Sequence, residues 1–247
     1  MSELKIVEKK PVAADSLMLF GFPDVGLVGV IAASHLIDEL GLEEVAYVDS
    51  RLLPPVIVVH EGQPHSSLRI FGKDKILLAV SEIPLSAEVI YPAMDALIEW
   101  GKSKKIKMMV ALSGIPIQDR ADATELKVFA TVSNLETLKT VQKQGIEDLM
   151  EGYIVGPQAI MLMRGSQMGL PAITLLAQCF LNYPDPEAAA EVLKSLAKVS
   201  GIAVDVTKLL EKGEEIRLKA RDIMRRTQEE MSKMKKGQEY DIPVYVT

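Results

Sequence analysis

Nine residues near the N-terminus have the types and spacing of a ligand-binding turn: Gly21-Phe22-Pro23-Asp24-Val25-Gly26-Leu27-Val28-Gly29. They fall where an apolar run gives way to a helical pattern, and backbone N–H groups at such a junction attract phosphate. The spacing is not the G-x-G-x-x-G of a dinucleotide fold, and no Gly-Lys-Ser/Thr follows as in a P-loop. The plain alternative is a tight turn with close helix packing at Gly26 and Gly29. Ser81-Glu82-Ile83-Pro84 ends another apolar run, at the carboxyl end of a strand, where open α/β sheets gather ligands. Gly21, Asp24, Gly26, Gly29 and Glu82 are therefore the candidate ligand turn, and Asp119 is a further acidic candidate. A reaction also needs a base and an electrophile, and neither is evident. His35, His60 and His65 lack the i, i+4 or Cys-x-x-Cys company of a zinc site. Cys179 has no activating neighbour in sequence, and there is no G-x-S-x-G elbow. The expectation is a protein that is not an enzyme, with no cofactor and no metal.

The elements that must position these residues are short and alternate. Strands are expected at 16–22, 45–48, 56–60, 67–71, 76–80, 107–113, 128–132, 152–156 and 173–177, with a turn at 61–65. Helices are expected at 25–40, 86–102, 135–144 and 157–167. Asp185-Pro186-Glu187 is a strong helix start, with a capping carboxylate, proline at the first position and a favourable acidic charge. That helix should run to Ser200, before Gly201. This alternation predicts an α/β fold with a mixed central β-sheet flanked by helices, part of it antiparallel between residues 45 and 80.

Composition narrows the function. Hydrophobic residues are 48% of 247, enough for a large core without staples. The net charge is −6, which argues against nucleic acid and against anionic membrane surfaces. One cysteine permits no internal disulfide. Residues 1–11 are charged and lack the apolar core of a signal peptide, and no run of 18 apolar residues occurs. A cytoplasmic protein is expected.

The last predicted helix, 207–236, is the anomaly. Leu209, Ile216, Ala220, Ile223, Thr227, Met231 and Met234 form a narrow apolar stripe on a heavily charged rod of about 45 Å. Such a stripe suits a helix packed on its own domain. It also suits a partner or self-association seam, where methionines adapt to varied surfaces. The expected organisation is a core at 1–205, the amphipathic helix at 206–236 and a tail at 237–247. The tail's Val244, Tyr245, Val246 and Thr247 follow Ile242-Pro243 and have the β-propensity to join a sheet edge or fill a groove.

Five segments in order resemble one known family. These are the Gly21–Gly29 turn, Leu53-Pro54-Pro55, Ser81-Glu82-Ile83-Pro84, Tyr183-Pro184-Asp185-Pro186-Glu187-Ala188-Ala189 and Gly201-Ile202-Ala203-Val204-Asp205. Together they resemble the proteasome assembly chaperones, in particular archaeal members related to the second eukaryotic chaperone subunit. The resemblance implies a fold similar to the purine nucleoside phosphorylases without their catalytic apparatus. It also implies a homo-oligomer, a tetramer or pentamer, acting without catalysis on proteasome α-subunits or another assembly factor. Family members that dock on the α-ring often end in a hydrophobic-tyrosine-any tripeptide. Here Tyr245 is third from last, one position displaced. Leu209, Ile216, Ile223, Met231, Met234 and Val244 to Thr247 are the partner-binding candidates. The alternative is a nucleoside- or nucleotide-related enzyme or binder on the same fold.

Overall fold

The computed structural model describes residues 4–233. Its centre is set by β2 (Leu17–Gly21), five consecutive buried residues. A continuous apolar run has no solvent face, so it must lie in the middle of a sheet covered on both sides. Among the described residues this sheet has nine strands. In chain order they are β1 (Leu4–Glu8), β2, β3 (Glu43–Ser50), β6 (Leu68–Lys73), β7 (Ile76–Ser81), β8 (Met108–Pro116), β9 (Val128–Val132), β10 (Glu147–Asp148) and β11 (Ala172–Cys179). Across the sheet the order is β1-β3-β6-β7-β2-β8-β11-β9-β10. The middle strands β7, β2, β8 and β11 are parallel, while β1, β3 and β6 form an antiparallel wing. A separate hairpin pairs β4 (Ile57–His60) with β5 (Gln63–Ser66).

Alternation along β2 divides the core. Leu17 and Leu19 face α1 (Val28–Leu40) and α5 (Pro186–Ser200). Met18 and Phe20 face α2 (Ala87–Ser103) and α4 (Pro157–Met168). Helix α3 (Leu135–Lys143) packs beside β9, capped by Asn134, whose Oδ1 accepts the Thr137 N–H at 2.9 Å. The mixed sheet with flanking helices agrees with the expected fold class.

Several expectations change in detail. Strand β1 was not expected, because its charged residues mask the apolar ones. Leu4 is nevertheless buried, and Trp100 Nε1 of α2 donates to Glu8 Oε1 at 2.9 Å to hold the strand. The helix expected at 25–40 begins as a 3-10 turn, Val25–Leu27, because Gly26 and Leu27 have φ of 62° and 51°. The turn expected at 61–65 narrows to Glu61 and Gly62, both with positive φ, and the chain resumes as β5. Residues 152–156 form a loop and no strand, with Gly152 and Gly156 at φ of 150° and 94°. The last helix is interrupted at Lys212, giving α6 (Thr207–Glu211) and α7 (Gly213–Lys233).

Candidate functional site

The glycine turn sits at the carboxyl ends of β2, β8 and β11, and it is packed shut. Asp24 is 2% exposed. Ser113 Oγ donates to its Oδ2 at 2.5 Å, and Gln158 Nε2 donates to the same oxygen at 2.5 Å and to Ser113 Oγ at 3.0 Å. One carboxylate thus ties the turn to β8 and to the first turn of α4. Gly26 uses its left-handed backbone to turn the chain, and its carbonyl accepts the Asp185 N–H at 2.8 Å. Gly29 lets α1 approach β8 so closely that any Cβ there would overlap the Leu112 carbonyl oxygen. Gly21, Asp24, Gly26 and Gly29 are therefore brought together as a packing junction. Glu82 lies elsewhere, paired with Arg69 and His60. Asp119 is exposed.

A second constellation stands beside the turn. Arg120 grips Asp185 with two hydrogen bonds, Nε to Oδ2 at 2.7 Å and Nη2 to Oδ1 at 2.8 Å. Asp185 also caps α5 by accepting the Ala188 N–H at 3.1 Å, and it accepts the Phe180 N–H at 3.1 Å. The Arg120 guanidinium lies 4.7 Å from the Phe180 ring centre. From α7, Arg217 Nη2 reaches both Glu187 oxygens at 2.8 and 2.7 Å. The polar stretch 118–124, the start of α5 and the start of α7 are thus joined by charge. Burial raises the Asp185 pKa, although the Arg120 guanidinium and the Ala188 amide oppose the rise. Burial pushes the Cys179 thiol well above its usual range, which disfavours the thiolate. Sequence alone identified Asp185 as a cap; its partner Arg120, 65 positions away, leaves no local trace.

A third cluster lies beneath the hairpin. Arg69, 6% exposed, pairs with Glu82 and Glu44. His65 Nδ1 is 2.9 Å from Glu44 and His60 Nε2 is 3.2 Å from Glu82. Burial would raise the Glu44 pKa, but hydrogen bonds from Lys9, His65 and Arg69 outweigh it and hold the carboxyl below its usual value. Glu187 is likewise lowered, with burial outweighed by Asp185 and Arg217. A depressed acid stabilises the fold above its unfolded pKa and loses that contribution as pH falls through the folded value. Urea midpoints should therefore hold steady from about pH 7 to 5 and fall below about pH 4. The raised Asp185 acts in the opposite sense, so Glu44→Gln isolates one group. That variant should lose less stability than the wild type across the acid limb, and equal losses would remove Glu44 from the account.

The stripe of the last helices faces inward. Leu209, Ala220, Met224 and Met231 are buried in the core shared with α1 and α5, and Ile216 and Ile223 pack against it. Of the predicted partner-binding positions, then, Leu209, Ile216, Ile223 and Met231 contact their own chain. Ala188, Ala189 and Ala190 of α5 are fully buried in the same core cluster. Met234, Val244, Tyr245, Val246 and Thr247 lie outside the described residues. The C-terminal part of α7 borders the strand-end crevice: Thr227, Glu230 and Met231 line it with Phe22, Pro23, Pro84 and Leu85. The cleft left there has about 20 Å3 for solvent, room for about one water. Among the described residues no helix is long and apolar enough to cross a membrane.

The chain belongs to the PAC2 family, whose model matches residues 18–224. Its likeness to particular proteins runs nearly end to end. A crystal structure of PbaA from Pyrococcus furiosus, described as an archaeal homolog of proteasome-assembly chaperone, superposes with a TM-score of 0.86 at 30% identity. It covers 92% of this chain and 98% of that one. PbaB of the same organism, described as an archaeal proteasome activator, shares the fold with a TM-score of 0.76 at 20% identity, over 90% of this chain and 99% of that one. An uncharacterized protein of Methanocaldococcus jannaschii is 28% identical over the full length of both chains.

Proposed function

We propose that this protein is a non-catalytic proteasome assembly chaperone or scaffold that acts as a homo-oligomer. Its partners in this reading are further copies of itself and proteasome α-subunits or another assembly factor. The observation that carries the proposal is the near full-length likeness to PbaA at 30% identity. In this reading the strand-end turn serves packing, since α1 lies tightly against it and against β8. Residues 1–205 would serve as the body, 206–236 as the helical cover and 237–247 as the segment that reaches a partner.

Native mass spectrometry of the protein alone and with α-subunits from the same source tests this reading. The expected result is a homo-oligomer that gains α-subunit mass. Deleting residues 242–247 should weaken that capture about tenfold, equivalent to about 1.4 kcal/mol, without changing the oligomer. A protein that stays monomeric and takes up no α-subunit would overturn the proposal.

A further inference from the structure

The β4–β5 hairpin is built inside out. Opposed residues of an antiparallel pair share a face, so the register sorts the hairpin into two. Val58, His65, His60 and Gln63 lie on one face, and Ile57, Val59 and Pro64 on the other, while Ser66 at the hairpin's base hydrogen-bonds to the Val48 carbonyl of β3 at 2.9 Å. The histidine face turns inward onto the Glu44–Arg69–Glu82 cluster, with the two imidazole centres 5.8 Å apart. Two of the three β4 valine and isoleucine residues turn outward, Ile57 at 65% exposed and Val59 at 62%, and the preceding Val56 is 39% exposed. An antiparallel ribbon ordinarily buries its apolar face and wets its polar one.

The edge is open as well. Among the described residues β4 pairs with β5 and with no other strand. The outer edges of the large sheet carry the usual protections against edge-to-edge association. Strand β1 has exposed Lys5 and is followed by exposed Lys9 and Lys10, and β10 is two residues long and acidic. Strand β4 contains no lysine, arginine, aspartate, glutamate or proline, and residues 52–59 contain no charged side chain. A two-stranded ribbon is marginal by itself, and a third strand is what normally stabilises one.

We propose that the outward face and free edge of β4 are a docking surface for a second copy of this chain. The inference rests on the homo-oligomer reading above and assigns its contact. A second copy fits for two reasons. Chains of net charge −6 repel one another, so copies meet most favourably through an uncharged segment. Each copy also carries what the ribbon lacks, an unpaired strand edge. Pairing there adds ladder hydrogen bonds and covers Ile57 and Val59, and the surrounding surface supplies the polar rim of a full interface.

The test uses the full chain with Ile57→Lys and Val59→Lys, both at exposed positions, and circular dichroism to verify that the fold is kept. Native mass spectrometry reads the copy number, and hydrogen exchange reads the backbone amides of residues 57–59 at low and high protein concentration. The expected result is a wild-type oligomer whose dissociation constant rises at least about tenfold in each variant, with amide protection that grows with concentration. A wild-type oligomer of unchanged strength in both variants would overturn this surface and leave the oligomer reading standing. A wild type that is monomeric throughout would overturn both. Amide protection independent of concentration but lost on deleting residues 234–247 would place the chain's own tail on this edge and overturn the second copy as occupant.

Discussion

Replacing Arg120 by alanine should lower stability by about 3–5 kcal/mol, the usual cost of removing one partner of a buried ion pair. Asp185 is completely buried, so the variant leaves a carboxylate with no cation inside the protein. The Phe180 and Ala188 amides still donate to it, yet two backbone dipoles do not replace a bidentate guanidinium. For a chain of this size the melting temperature should drop by about 6–20 °C. Arg120→Lys should recover only part of the loss, because one ammonium does not match both carboxylate oxygens. Calorimetry of the two variants decides the matter. A loss below about 1 kcal/mol for alanine would put the pair among ordinary surface ion pairs.

Gly29→Ala is the second large effect, and its sign runs against helix propensity. Within a helix this change normally gains about 1 kcal/mol. Here the added methyl group would overlap the Leu112 carbonyl oxygen and crowd that of Phe22, and backbone atoms cannot rotate away. Helix α1 would have to lift from β8, loosening Val28, Ile31 and Ala32 from the core. The expected outcome is a loss of about 3 kcal/mol, at the upper end of overpacking costs, measured by urea unfolding. A variant more stable than the wild type would show that the helix is free to shift.

Much of this architecture was visible in one dimension, for reasons that differ by element. Strand β2 is a pure apolar run, and a run with no polar face has few places to go. Helix α5 announces itself through Asp185, Pro186 and Glu187, because the capping chemistry is local. Strand β1 was hidden because its fit depends on β3 and on Trp100, both distant in sequence. The stripe on α7 was legible, but its direction was not: that it joins the core shared with α1 and α5 depends on elements distant in sequence. The candidate turn shows its glycines and Asp24 in sequence, whereas the Ser113 and Gln158 partners of Asp24 come from elements 89 and 134 positions away. The inverted hairpin escaped notice because alternation shows two faces without showing which one the protein covers.

The placement of α7 has a consequence for how the protein is made. Thr227 and Met231 line a crevice together with Phe22 and Pro23, residues about two hundred positions earlier in the chain. The sheet has its last strand once Cys179 is out, and Met231 follows about fifty residues later, a delay of about 3–10 s at usual rates of synthesis. Throughout that interval a nascent chain carries a nearly finished sheet with its mouth uncovered. Until then Phe22, Pro23, Pro84 and Leu85 lack the side chains that later line the crevice with them, and a pause after Cys179 would lengthen the exposure.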